Sequence, residues 1–323
     1  MLQQIFGCSS LILLLLQLIA CTEEVNALDD SQASITDQPY LMVLGIAQDA
    51  GYPQAACQKN CCQAVWAGEA EKQLVSCLGL VDPISNELWI LDATPDFREQ
   101  WQYLQAELHA PPKQPTGVLI THAHIGHYTG LMQLGREVMG GDKIPVYAMA
   151  RMRYFVRRNG PWSQLVDLEN IRLMPMQHDS AFTLNERLQV TPILVPHRDE
   201  YSETVGYRVA GPEYKFLFIP DIDKWESWER SLEEELALVD YAFLDATFYA
   251  DGELPNRDMS KIPHPFVAET MELLAAVPAV ERKKVHFIHL NHTNPLLQNG
   301  SAAQREVEMA GFGLAATGMR LPL

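Results

Sequence analysis

Short apolar runs alternate with amphipathic stretches from residue 41 onward. Runs of this length, bounded by turn formers, predict strands. They fall at 41–46, 74–81, 88–91, 118–120, 146–149, 188–195, 204–209, 215–219, 241–244 and 285–290. Helical periodicity predicts helices at 96–108, 127–138, 150–158, 226–238, 265–276 and 302–310. Strands with interspersed helices predict an α/β fold in which sheets pack between helices. No internal repeat or low-complexity tract interrupts residues 39–323, so a single domain is expected there.

The first residues have a different character. Leu11–Ala20 is a short apolar run that ends Leu18-Ile19-Ala20-Cys21. It predicts a signal peptide over 1–21, resembling a bacterial lipoprotein leader with Cys21 as the lipidated residue, with an uncleaved anchor and then a plain secretory signal as the alternatives. Residues 22–38 are polar and predict a flexible tether. Thr22 after the cysteine favours sorting to the outer membrane. The expected location is therefore the periplasmic side, with a lipid anchor, more in the outer than the inner membrane.

Chemistry concentrates in Thr121-His122-Ala123-His124-Ile125-Gly126-His127. The apolar run before it ends as a strand, and a His-x-His pair on extended backbone sends both imidazoles to one side. Neutral imidazole is a ligand for zinc and also for iron. Further candidates follow apolar runs in the same way: His197, Asp221, Asp245 and His289. His264 sits in a Pro-rich loop, where it either serves the site or caps the next helix. His109, His178 and His286 are expected to be structural.

Of the six cysteines, Cys57, Cys61, Cys62 and Cys77 follow the leader. A structural metal site, disulfides and free thiols are all open on spacing alone. The net charge of −17 argues against bulk nucleic-acid binding, which needs basic patches. A small-molecule substrate is the expected partner.

The order of these residues resembles the metallo-β-lactamase-fold superfamily. That resemblance implies a four-layer αββα sandwich with His122, His124, His127, His197, Asp221 and His289 as metal ligands. Asp92 and Asp245 would support them from behind. The segment Leu44-Gly45-Ile46-Ala47-Gln48-Asp49-Ala50-Gly51-Tyr52-Pro53-Gln54 and the segment His289-Leu290-Asn291-His292-Thr293-Asn294-Pro295 are similar to the family of the pyrroloquinoline quinone (PQQ) biosynthesis protein B (PqqB). The phosphonate-pathway cyclic phosphodiesterases are related. In that group, a cysteine cluster and a His after the last catalytic His hold a structural zinc. Carried over, these are Cys57, Cys61, Cys62 and His292, with Cys77 as a substitute for one of them.

Gly126 stands where the superfamily loop carries Asp. The resemblance then implies one tightly held metal and a weak or absent second, zinc or iron. The expected function is an exported metal-dependent hydrolase in which metal-bound hydroxide attacks a phosphodiester or other ester. Asp221 would orient the water and His264 would protonate the leaving group. An iron-dependent oxidoreductase related to PQQ biosynthesis is the alternative. A non-catalytic binding protein, suggested by Gly126, is the third.

Overall fold

The computed structural model describes residues 37–323. The expected leader, with Cys21, and nearly all of the expected tether lie outside the described residues. The first sheet contains β1 (Tyr40–Gly45), β2 (Cys77–Asp82), β3 (Glu87–Leu91), β4 (Gly117–Leu119), β5 (Ile144–Ala148) and β6 (Ile171–Pro175). The second contains β7 (Phe182–Thr183), β8 (Gln189–Leu194), β9 (Val205–Ala210), β10 (Lys215–Ile219), β11 (Tyr241–Asp245), β12 (Val285–Ile288) and β13 (Gly313–Leu314). The last strand, β14 (Arg320–Pro322), returns to the first sheet beside β1.

The two sheets are built alike. Each has antiparallel strands on one side, β14-β1-β2-β3 and β7-β8-β9-β10. Each continues in parallel strands, β3-β4-β5-β6 and β10-β11-β12-β13. Alternation decides what each face buries. Leu41 and Val43 of β1 join the core between the sheets, with Leu80, Leu91, Tyr207, Phe216 and Phe218. Tyr40, Met42 and Leu44 pack outward on Phe97, Trp101 and Leu104 of the helix Phe97–Gln105. Because both faces are covered, these strands read as continuous apolar runs rather than alternating ones. The result is the four-layer αββα sandwich.

Several expected elements are shorter than their apolar pattern. β2 begins at Cys77 because the Leu74 carbonyl is taken by the amides of Ile46 and Ala47, each at 2.9 Å. The helix expected at 127–138 is a single turn, Ile125–Tyr128, followed by a 3₁₀ segment, Thr129–Leu134. Gly130 lies so close under the preceding strand end that a Cβ there would stand 2.1 Å from the Thr94 carbonyl oxygen. The helix expected at 226–238 is a 3₁₀ turn and a short helix, Leu232–Leu236, that Ser231 caps by accepting from Glu234 N. β6, β7, β13 and β14 have no clear apolar signal and owe their place to the neighbouring strand.

A buried ion pair ties the ends of the two sheets together. Asp82, fully buried at the end of β2, accepts from Arg187 Nε at 3.0 Å and from Asn185 Nδ2 at 2.8 Å in the β7–β8 turn. The Arg187→Ala variant would leave Asp82 with neutral donors only, and Arg187 is partly exposed. We expect a loss of about 2 kcal/mol, read by urea unfolding. A loss below about 0.5 kcal/mol would show that the pair does not join the sheets.

Candidate metal centre

The loops at the C-terminal ends of β3, β4, β8, β10, β11 and β12 meet at one edge of the sandwich. Four ligand atoms converge there: His122 Nε2, His124 Nδ1, His197 Nε2 and a carboxylate oxygen of Asp221. Asp221 Oδ2 lies 3.2 Å from His122 Nε2, 3.2 Å from His197 Nε2 and 3.7 Å from His124 Nδ1. His197 Nε2 lies 3.2 Å from His124 Nδ1. A tetrahedral ion with N and O ligands at about 2.0–2.2 Å sets its ligand atoms about 3.3 Å apart. The observed edges fit a metal ion.

The hydrogen bonds behind the rings leave lone pairs facing inward. Thr121 Oγ1 gives its single proton to Asp92 Oδ2 at 2.9 Å, so His122 Nδ1 donates to Thr121 Oγ1 at 3.0 Å and its Nε2 is bare. Thr247 Oγ1 donates to Asp245 Oδ1 at 2.7 Å, so His289 Nδ1 donates to Thr247 Oγ1 at 3.0 Å, again leaving Nε2 bare. His127 Nδ1 donates to Asp92 Oδ2 at 2.8 Å and His197 Nδ1 to Asp223 Oδ1 at 3.0 Å. His124 is held the other way round, by Glu200 Oε2 at 3.1 Å from Nε2. Partners of this kind fix the tautomer and raise ligand basicity. Burial, together with the charges of His127 and His124, holds the His122 imidazole well below its usual range, so it is neutral. Burial opposes charge on Asp221, but His197 and His264 outweigh it and keep the carboxyl well below the usual range.

Asp92 and His289 both adopt left-handed backbone, φ 70° and 67°. For side-chain-bearing residues this conformation is uncommon and concentrates at functional sites. Here it turns each chain abruptly out of its strand, which is why β12 stops at Ile288.

Two further groups adjoin the first. His264 comes from the Pro-rich loop to place Nδ1 2.8 Å from Asp245 Oδ2 and 3.2 Å from Asp221 Oδ1. Burial opposes its charge, but Asp245 and Asp221 prevail and the ring is pushed up to about 9. The second group is His127, His289 and Asp49. Asp49 has no strand-end or His-loop signal in the sequence, and neither do Asp223 and Glu200. All three sit in irregular segments whose neighbours are set by the tertiary fold. A surface cavity of about 610 Å³ lies elsewhere, beside Gln73, Leu290 and Ala315, and none of these ligands lines it.

The cysteines form a separate cluster. Cys57 Sγ lies 3.9 Å from Cys61 Sγ, and His292 Nδ1 lies 3.6 Å from Cys61 Sγ and 3.4 Å from Cys62 Sγ. Zinc–sulfur bonds of about 2.3 Å imply S···S edges near ~3.8 Å and S···N edges near ~3.5 Å. All four cysteines among the described residues are free thiols. Cys77 does not substitute for a ligand: it is buried on β2, with its thiol directed to the Asp92 carbonyl at 3.4 Å. His178 and His286 serve the scaffold, His178 by accepting from Leu194 N and His286 by donating to the Lys284 carbonyl.

The family model of the beta-lactamase superfamily domain matches residues 89–290. The chain belongs to this superfamily. It is 26% identical over 308 residues to the coenzyme PQQ synthesis protein B of Methylobacterium sp. (strain 4-46), over 87% of this chain and 99% of that one. It is 25% identical over 306 residues to the same protein of Xanthomonas campestris pv. campestris (strain B100), over 88% and 99%. Among solved structures, the Zn(2+)-bound PqqB of Methylobacterium extorquens gives a TM-score of 0.72 at 22% identity, over 88% of this chain and 100% of that one. A diphosphatase from the PhnP family gives 0.61 at 21% identity, over 88% and 97%. These structural likenesses show the fold.

Asp92 holds His127 directly and His122 through Thr121. The Asp92→Asn variant should weaken metal binding at the centre by about 10–100-fold and leave the cysteine cluster loaded. Competition with a chromogenic chelator measures this. Unchanged affinity would remove Asp92 from the support of the centre.

Proposed function

We propose that this protein is a metal-dependent hydrolase acting on a phosphodiester or another anionic ester. The observation that carries this reading is the convergence of bare imidazole nitrogens on one buried carboxylate, with a second carboxylate–His pair beside it. A divalent cation in that place supplies Lewis acidity and an activated water. Zinc is favoured by the tetrahedral edges and by the zinc bound in the PqqB structure.

The chain's own residues account for the other requirements. Asp221 Oδ1 is buried without a formal hydrogen bond, 3.2 Å from His264 Nδ1, and can orient a water beside that ring. Asp245 anchors His264 through Nδ1, so Nε2 is the nitrogen that delivers a proton to a leaving oxygen. Arg198 follows His197 directly, is exposed and makes no ion pair among the described residues. Its charge is close enough to oppose protonation of His264. In a chain of net charge −17, an unpaired guanidinium at the mouth of the site suits an anionic substrate.

A second reading, an iron-dependent oxidoreductase, draws on the likeness to PQQ synthesis protein B along nearly the whole chain. His and Asp ligands accept iron as well as zinc. Attachment of the chain through Cys21 to the periplasmic side of a bacterial membrane remains our proposal from the leader sequence.

The zinc-loaded chain should turn over bis(p-nitrophenyl) phosphate. Arg198→Ala should raise KM for this anion about tenfold and leave KM for the neutral p-nitrophenyl acetate unchanged. No turnover of either ester with zinc, manganese or iron would overturn the hydrolytic reading.

A further inference from the structure

Gly126 deprives the His loop of the carboxylate that would complete a second ion site. The structure puts another carboxylate in the same place. Asp49 Oδ1 lies 3.1 Å from His127 Nε2 and 3.6 Å from His289 Nε2. A Cβ on residue 126 would stand 2.2 Å from Asp49 Oδ1 and 2.6 Å from Asp49 Cα. Gly126 is therefore the residue that lets Asp49 in, and a side chain there would push it out.

These three atoms are buried and have no hydrogen-bond partner. His289 Nε2 is bare because Thr247 takes the proton on Nδ1. His127 donates from Nδ1 to Asp92, which leaves its Nε2 as the nitrogen turned toward Asp49. Two imidazole nitrogens and a carboxylate oxygen converge here with no other partner, and a cation among them would satisfy all three. The edges of 3.1 and 3.6 Å again suit an ion with ligands at about 2.0–2.2 Å. Asp221 Oδ2, already in the first cluster, is 3.9 Å from His127 Nε2 and can be shared.

The backbone holds Asp49 firmly in this position. Ala47 bridges both Val75 and Leu290, and Gln48 N donates to the Leu290 carbonyl at 2.8 Å. Asp49 thus rides on a segment bonded to the residue that follows His289.

We propose that Asp49, His127 and His289 hold a second divalent cation beside the first, with Asp49 as a ligand recruited from the N-terminal segment in place of a His-loop carboxylate. The site goes beyond the hydrolytic reading and stands whichever reaction the centre performs. The test loads the full-length chain with Zn2+, dialyses it against zinc-free buffer and counts zinc per chain. Asp49→Asn and Asp49→Ala should each retain one ion fewer than the wild type, while the His122→Ala/His124→Ala variant keeps the cysteine-bound ion. Circular dichroism checks that each variant is folded. Anomalous scattering at the zinc edge from wild-type crystals provides a readout that needs no variant: a peak is expected within bonding distance of Asp49 Oδ1, His127 Nε2 and His289 Nε2. Zinc found only at the first and cysteine clusters, or an unchanged count in folded Asp49 variants, would overturn the proposal. Second-site zinc without ester hydrolysis would sustain it and count against the hydrolase alone.

Discussion

Asp221 is a carboxylate buried among five imidazoles. Four ring nitrogens, from His122, His124, His197 and His127, lie 3.2–3.9 Å from its Oδ2. A fifth, His264 Nδ1, lies 3.2 Å from Oδ1. Taking an ionised carboxylate out of water costs several kcal/mol unless opposite charge comes with it. Protons on the imidazoles supply some of that charge: burial opposes charge on His197, yet Asp221 holds its ring above the usual range. A metal ion supplies more, because several lone pairs can face one cation at once. The network behind the rings, with Thr121 and Thr247 each spending its one proton on an aspartate, is organised for that outcome.

The scaffold makes this arrangement possible by packing two sheets of the same plan face to face. Each contributes a strand that ends in left-handed backbone, at Asp92 and at His289. Each also has an aspartate–threonine pair that sets imidazole tautomers, Asp92 with Thr121 and Asp245 with Thr247. The cysteine cluster brings the segment after β1 against the segment after β12. Cys57 lies a few residues beyond Asp49 and His292 just beyond His289, so a metal bound there would pin two segments that supply ligands to the centre. The cysteine cluster and the cluster around Asp221 thereby share one mechanical frame.

Much of this was legible in the sequence. The His loop, His197, Asp221 and His289 each follow an apolar run, and a strand end is where a metal ligand has to be. The cysteines and His292 also come together, although spacing alone left disulfides open. Three features were not legible. The residues after His127 look helical, but close contact between Gly130 and the Thr94 carbonyl forces a tighter coil. Asp223 and Glu200 reach His197 and His124 only because the loops after β10 and β8 fold back, and no periodicity encodes that. Gly126 pointed to a weakened second site, and the sequence does not show that Asp49 Oδ1 comes within 3.1 Å of His127 Nε2. Asp49 is far away in sequence and meets His127 only through the Ala47 bridge between the sheets.

The central claim is that the cluster around Asp221 is a metal site distinct from the cysteine cluster. Elemental analysis of the wild type beside the His122→Ala/His124→Ala variant tests it most directly. The account predicts that the variant loses metal and keeps the ion held by Cys57, Cys61, Cys62 and His292. Equal metal content in the two proteins, both folded, would contradict it.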